Sequence, residues 1–297
     1  MTSLDTRAVP PLARGLSDLA GRYDVLVVDL WGTAHNGLAP FPGVPDALAR
    51  ARAAGLRVVM VTNAPRRSAA VVEQLAELGL DAAHHDAVVT AGEVAWRALR
   101  DRRDPWHAAL GTRGYLIGPA WNRSLLEGNG VTPVETVAEA EFVVLAGPTG
   151  WDKSVDDHVP ILAECRARGL KLICANPDLE VIRGDQRLVC AGAIAMRYEA
   201  MGGAVQQHGK PYRGIYDLAL EIAGNPPRER VLAIGDGLPT DIAGALGAGL
   251  DCAFIPGGLH GEAMGIAMGG VPDAAAYATV VAPSGLRPTW LLPALAW

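Results

Sequence analysis

The chain predicts an α/β fold, a parallel sheet covered by helices, with a second α/β domain inserted into it. Three observations predict this. Short apolar runs alternate with longer helical patterns along the sequence. Several runs are rich in Val and Ile and lack polar alternation, as strands covered on both faces are. Polar residues with chemical potential gather just after three of the runs, near Asp29, Thr62 and Asp236. Open α/β sheets place their ligands at such strand ends.

The elements follow in order. Val25–Val28 is an apolar run that ends at the carboxylate of Asp29 and breaks at Gly32, which reads as a buried strand with Asp29 at its C-terminal tip. Val44–Ala54 begins after Pro42-Gly43 and stops before Gly55, a helix with ordinary start and stop signals. Further strands are expected at Arg57–Val61, Tyr115–Ile117, Phe142–Leu145, Leu170–Cys174, Val231–Ile234 and Cys252–Ile255. Helices are expected at Ala69–Leu78, Gly92–Asp101, Val159–Arg168, Gly214–Ala223 and Thr240–Ala248. The β-α-β rhythm implies right-handed crossovers. The strands between Thr62 and Asp236 suffice for an inserted domain, placed at residues 85–200 between core segments 1–84 and 201–297. From Gly257 the chain is rich in Gly, Ala and Pro, and it carries Trp290 and Trp297. Those two rings are expected to dock on the body or on a partner chain.

Composition excludes several functions. The 297 residues are 50% hydrophobic and carry a formal net charge of -6 without a long basic run, so a nucleic-acid backbone binder is not expected. No apolar stretch is long enough to span a bilayer. Residues 1–14 lack the basic and apolar regions of a signal peptide. A soluble, cytoplasmic protein is expected. Cys165, Cys174, Cys190 and Cys252 form no C-x-x-C pair and are expected to be buried free thiols.

Four polar features are each weak alone: Asp29, Thr62-Asn63, Gly209-Lys210-Pro211, and Gly235-Asp236 running on to Asp241. Asp29 reads equally well as a helix N-cap, and Lys210 as a solvated lysine. Together they meet the needs of phosphoryl transfer, which is mostly positioning and charge stabilisation. A carboxylate, Asp29, serves as nucleophile by forming an acyl phosphate. The Thr62 hydroxyl and Lys210 serve the phosphoryl oxygens. Asp29 and Asp236, with Asp241 close by, suit a hard cation such as Mg²⁺. Converging carboxylates repel without one.

These motifs, in this order, resemble those of the haloacid dehalogenase-like (HAD) hydrolases. Asp29-x-x-Gly32-Thr33 is similar to the first motif, Thr62-Asn63 to the second, Lys210 to the third and Gly235-Asp236-x-x-x-x-Asp241 to the fourth. Pro42-Gly43, Thr62-Asn63-Ala64-Pro65-Arg66, Asn176-Pro177-Asp178 and Thr240-Asp241-Ile242 resemble the class IIA branch, which includes nucleotide, pyridoxal-phosphate and p-nitrophenyl phosphatases. The resemblance runs from about residue 20 to about residue 260 and implies a Rossmann-like core with a C2-type cap. It implies a Mg²⁺-dependent phosphatase of a small phosphorylated metabolite, with Asp29 as nucleophile. The metal would be held by Asp29, Asp236 and the backbone carbonyl of Trp31, with Asp241 in support. Thr62 and Lys210 would bind the phosphoryl group, and Asn63 would position it. It places substrate contacts at Cys190, Ala191 and Gly192 and allows a homodimer, while Arg66 and Arg67, just after the second motif, read either as contacts to an anionic substrate or as surface charges.

One position departs from the pattern. Where most such phosphatases carry a second Asp that protonates the leaving group, this chain has Trp31. General acid–base help is worth about 10²–10⁴-fold, and an indole has no proton to give at neutral pH. Three readings stay open. The acid comes from elsewhere, with His35, Asn36 or Asp178 as helpers, or the leaving group needs none. The enzyme is slow or phosphotransferring, with a longer-lived aspartyl phosphate. Or the chain is a non-catalytic or regulatory protein that binds a phosphate ligand. A metal-free dehalogenase has little use for Asp236 and Asp241. Asp178, a candidate substrate contact, is read chiefly as an organiser of the cap–core junction. Arg183, Arg187 and Arg197 lie in the inserted segment, and Trp121 and Trp151 are expected in the core rather than as lids.

Overall fold

A computed structural model describes residues 9–183 and 186–297, with the side chains of 182 and 183 left aside. The N-terminal reading of residues 1–14 therefore falls partly outside the described residues, and the Arg183 side chain wholly so. The chain forms two compact units. The first takes the chain up to Thr62, then Val72–Val88 and Tyr216–Trp297; the second takes Asn63–Val71 and Val89–Ile215.

The first unit is built on a six-stranded sheet. Its strand order is Trp290–Leu291, Asp251–Phe254, Val231–Gly235, Val25–Asp29, Arg57–Thr62 and Ala87–Thr90. Along the last of these the chain passes to the second unit. Val25–Asp29 lies at the centre, parallel to both neighbours, with Val28 level with Ile234 on one side and Met60 on the other. All five of its residues are buried, which explains why a run of consecutive Val and Leu suits it. Parallel strands all point one way, so Asp29, Thr62 and the residue after Gly235 emerge at one edge of the sheet. The doubly covered, parallel arrangement is the Rossmann-like core that the motifs imply.

The C-terminal segment docks on this unit. Trp290–Leu291 adds the outermost strand, parallel to Asp251–Phe254. The Trp290 indole N–H donates to the Tyr23 hydroxyl at 2.9 Å, and Arg22 lies over the ring at 4.7 Å. Arg50 sits over the Trp297 ring at 5.4 Å. Leu291, Leu292 and Leu295 are fully buried. A helix not expected from the sequence, Ala274–Val281, starts at Asp273, which accepts from the Ala276 amide at 2.8 Å.

The second unit holds its own five-stranded sheet in the order Val205–Gln207, Lys171–Cys174, Phe142–Leu145, Arg113–Ile117 and Thr132–Val134, all neighbours parallel. Period-two alternation sends Val143 and Leu145 into one apolar layer with Leu162, Ile194 and Tyr198, and Phe142 and Val144 into the other with Leu99 and Leu125. An antiparallel pair, Glu180–Arg183 with Gln186–Val189, stands apart from this sheet.

Trp121 and Trp151 depart from expectation. They are 59% and 56% exposed and stack on each other with centroids 6.5 Å apart. Leu125 and Leu126 near the one and Val155 near the other pack on the apolar layers in their place. The four cysteines are free and buried, as expected. Burial pushes the thiols of Cys174 and Cys190 up to about 12, which makes them inert. Among the described residues, no helix is long and apolar enough to cross a membrane.

Candidate active site

Three buried carboxylates, Asp29, Asp236 and Asp241, offer ligand oxygens that all lie within 4.8 Å of one another. Each arrives by a different local device. Asp29 is the last residue of the central strand. Asp236 follows the neighbouring strand Val231–Gly235 directly. Asp241 returns on a widened helical turn, Leu238–Ile242, in which its amide donates to the Gly237 carbonyl at 2.9 Å and its carboxylate accepts from the Gly237 amide at 3.0 Å. The Asp236 carboxylate accepts from the Leu259 amide at 2.7 Å.

Glycines make room for Asp236. A Cβ at Gly32 would stand 1.9 Å from its carboxylate oxygen, and one at Gly258 would stand 2.2 Å away. Gly32 also has φ +80, the left-handed region that favours glycine. Sequence reasoning found Gly32 but missed Gly258 and Leu259, which it assigned to the tail. The signal was present: a Gly-Gly pair two residues after a core strand, at the sheet edge where ligands sit.

This donor set fits a hard cation. It is all oxygen, with no His or Cys, which suits Mg²⁺ or Ca²⁺ rather than Zn²⁺. Three buried carboxylates at this spacing repel unless a cation offsets them. Thr62, 2% exposed, ends the strand on the other side of Asp29, where Asp29 is level with Val61.

The loop after Asp29 is closely tied. The Leu30 carbonyl accepts from the amides of Ala34 and His35 at 2.8 and 3.0 Å. The Trp31 ring stands edge-on to His35, with centroids 5.2 Å apart at 70°, and presses on Gly37, where an added Cβ would lie 2.3 Å from the ring. His35 accepts from the Gly37 amide at Nδ1, 3.0 Å, and is 1% exposed. Burial pushes its pKa down to about 4. With Nδ1 accepting, the neutral ring carries its proton on Nε2. Asn36 caps the turn by accepting from the amides of Leu38 and Ala39, both at 2.9 Å.

The second unit gathers Asn63, Asp178 and Lys210. The Asn63 amide donates to the Asp178 carboxylate at 2.8 Å and to the Lys210 carbonyl at 3.1 Å, and its oxygen accepts from the Lys210 amide at 2.7 Å. Asn63 therefore holds the Lys210 backbone, and Asp178 orients Asn63. Cys190, Ala191 and Gly192 open the helix Ala191–Ala200. The Gly192 amide donates to the Asp178 carbonyl at 3.0 Å. Arg66 is half-buried, and its carbonyl accepts from the Thr90 hydroxyl. Arg67 pairs with Glu93 at 2.7 Å and lies over the Trp96 ring at 3.7 Å. Arg187 pairs with Glu180, and Arg197 is exposed.

Known proteins resemble this chain over nearly its full length. A family model described as haloacid dehalogenase-like hydrolase matches residues 26–132, and one described as HAD-hydrolase-like matches residues 207–282. The crystal structure of a haloacid dehalogenase-like hydrolase from Brucella suis 1330 is 36% identical, with a TM-score of 0.81 over 96% of this chain and 100% of that one. Glycerol-3-phosphate phosphatase of Gallus gallus is 30% identical over 74% of this chain and 75% of its own length. The chain belongs to the haloacid dehalogenase-like hydrolases. D-glycerol 3-phosphate phosphatase of Mycobacterium tuberculosis is 29% identical over 82% of this chain. The match spans 66% of that relative's length. A glycerol phosphate phosphatase from the same organism, solved with magnesium, is 25% identical with a TM-score of 0.67 over 87% of this chain and 78% of that one. As a haloacid dehalogenase-like hydrolase the chain is an enzyme, and Mg²⁺ is the cation that both the donor set and the family support.

Proposed function

We propose that the protein is a phosphatase of a small phosphorylated metabolite, acting through Asp29 as nucleophile. The observation that carries this reading is the buried triad of Asp29, Asp236 and Asp241 at the parallel strand ends. The relatives named as phosphatases support it.

In this reading an oxygen of the Asp29 carboxylate attacks phosphorus and displaces the leaving oxygen. Water then cleaves the acyl phosphate and restores the carboxylate. The central strand fixes the attacking oxygen on a rigid, buried element. The Thr62 hydroxyl donates to a phosphoryl oxygen. Asp29, Asp236 and the Trp31 carbonyl, with Asp241 in support, would hold Mg²⁺, which would supply charge neutralisation at the phosphoryl group. For Lys210 and Asn63 the proposed roles are charge and positioning of that group, and Asp178 keeps Asn63 in its orientation. Cys190, Ala191, Gly192 and Arg66 are proposed as contacts to the remainder of the substrate. With its thiol buried and protonated, Cys190 would contribute through packing and backbone.

The test is phosphate release from a panel of small phosphates with and without Mg²⁺, beside Asp29→Asn. We expect metal-dependent release that falls by about 10³-fold or more in the variant. Equal release by both proteins removes Asp29 as nucleophile. Metal binding with no release across the panel favours a phosphate-binding protein on the same scaffold.

A further inference from the structure

We propose that this enzyme's substrates are phosphates whose leaving group departs as a stable anion, above all acyl phosphates, and that Trp31 sets this preference. The inference rests on Asp29 being the nucleophile.

The argument begins with what stands at the sheet edge. Breaking a phosphorus–oxygen bond to an alkyl group leaves an alkoxide, which needs a proton as it departs. Trp31 offers no acid at the position beside the nucleophile. Asp29 must be anionic to attack. Asp236 and Asp241 belong to the carboxylate cluster. The Nδ1 atom of His35 is engaged by the Gly37 amide, and Nε2 of His260 accepts from the Leu238 amide at 3.4 Å. Leu30 and Ala34 are apolar, and a threonine hydroxyl such as that of Thr33 is too weak an acid to serve. A leaving oxygen that carries its own charge away needs no such acid. A carboxylate leaving group does so readily, since its conjugate acid has a pKa of about 4.

A second, independent observation shows that the indole is a built part of the loop. Gly37, at φ +84, gives up its Cβ position to the Trp31 ring. His35 presents its own ring to Trp31 at 70° while it holds the Gly37 amide. The Leu30 carbonyl ties the loop back by accepting three backbone hydrogen bonds, from Thr33, Ala34 and His35. Two residues of the loop, His35 and Gly37, are thus fitted to an aromatic side chain at position 31. A carboxylate at that position would leave the space over Gly37 empty.

The chemistry balances without an acid. An oxygen of Asp29 forms a bond to phosphorus as the bond to the acyl oxygen breaks, and the electron pair leaves on the carboxylate product with no proton transferred. Water then attacks phosphorus, the bond to Asp29 breaks, and its carboxylate returns. Inorganic phosphate carries both protons of the water or releases one to solvent.

The test uses the full chain with Mg²⁺ and three probes: acetyl phosphate, p-nitrophenyl phosphate and glycerol 3-phosphate, with Asp29→Asn as background. We expect kcat/KM to fall along that series, with acetyl phosphate ahead of glycerol 3-phosphate by about 10³-fold or more. Trp31→Asp should narrow the gap by at least about tenfold, chiefly through faster alkyl ester turnover. Glycerol 3-phosphate within about tenfold of acetyl phosphate in the wild-type enzyme overturns the inference while leaving the phosphatase reading intact. A wide gap that persists in folded, Mg²⁺-binding Trp31→Asp also overturns it. If no probe exceeds the Asp29→Asn background, the phosphatase reading itself fails and the inference with it. The wild-type series stands by itself should the variant not fold.

Discussion

A single methyl group at position 37 would strike the Trp31 ring. Gly37→Ala places a Cβ 2.3 Å from the indole at a backbone φ of +84. Overpacking and left-handed strain each cost about 1–3 kcal/mol. We expect a loss of about 2 kcal/mol or more by denaturant titration, with the indole fluorescence shifted as the ring is displaced. Gly37→Ala in the Trp31→Gly background should lose much of that penalty, because the clash is with the ring. Asp29 and Asp236 were legible in the sequence because each stands at the end of an apolar strand, and Asp241 because it follows Asp236 by five positions. The partners of Trp31 were not. Position 37 reads as an ordinary turn glycine until the chain is folded back on itself. Gly258 was missed for a related reason: its duty is to leave space for Asp236, a residue from another strand.

Among the elements, the strand Val205–Gln207 leads into an unusual buried pair. His208 donates its amide to the Cys174 carbonyl at 2.9 Å, and its Nε2 meets that of His107 at 3.1 Å. On the far side of His107, Nδ1 meets the Asp104 carboxylate at 2.6 Å. Burial, with His107 adding to it, pushes the pKa of His208 down to about 3. The folded-state value lies below the unfolded one near 6.5, so the unfolded chain binds the extra proton. Stability from this group is fully present above about pH 6.5 and declines as pH falls toward 3, with a slope of up to about 1.4 kcal/mol per pH unit. We expect His208→Gln to flatten that slope in acid unfolding curves, and an unchanged slope would assign it to other groups. The seven strands expected from sequence all form, within a residue or two of their predicted bounds. Those missed are short or polar, such as Val205–Gln207, or lie at an edge, such as Trp290–Leu291, where pairing with a neighbour decides more than apolar content does. The helix Ala274–Val281 was hidden in a segment read as Gly-, Ala- and Pro-rich. Its alanines and valines lack a clear polar face, and its capping Asp273 was the usable signal.

On the scale of the whole molecule, the C-terminal segment is part of the first unit rather than an appendage. Ending the chain at Pro288 would remove an edge strand and three fully buried leucines, Leu291, Leu292 and Leu295. Truncating one buried Leu costs about 2–5 kcal/mol, and a domain's whole stability is about 5–15 kcal/mol. The shortened chain is expected to lose its cooperative thermal transition, and a transition within a few degrees of the parent would show that the segment is dispensable. The fold class was legible because parallel strands buried on both faces leave a plain signature. The assembly of Asp29 with Asp236 and Asp241 was legible only through the order of the motifs, since their separation in sequence says nothing of their meeting in space. That separation has a consequence for how the enzyme comes into being. The strand that carries Asp29 needs Val231–Gly235 beside it, so Asp29 must wait for about two hundred further residues to be translated, on the order of ten to forty seconds at ribosomal rates. For that interval the nascent chain exposes an unfinished central strand, and a ribosome that stalls within it releases a polypeptide that carries Asp29 without Asp236 and Asp241.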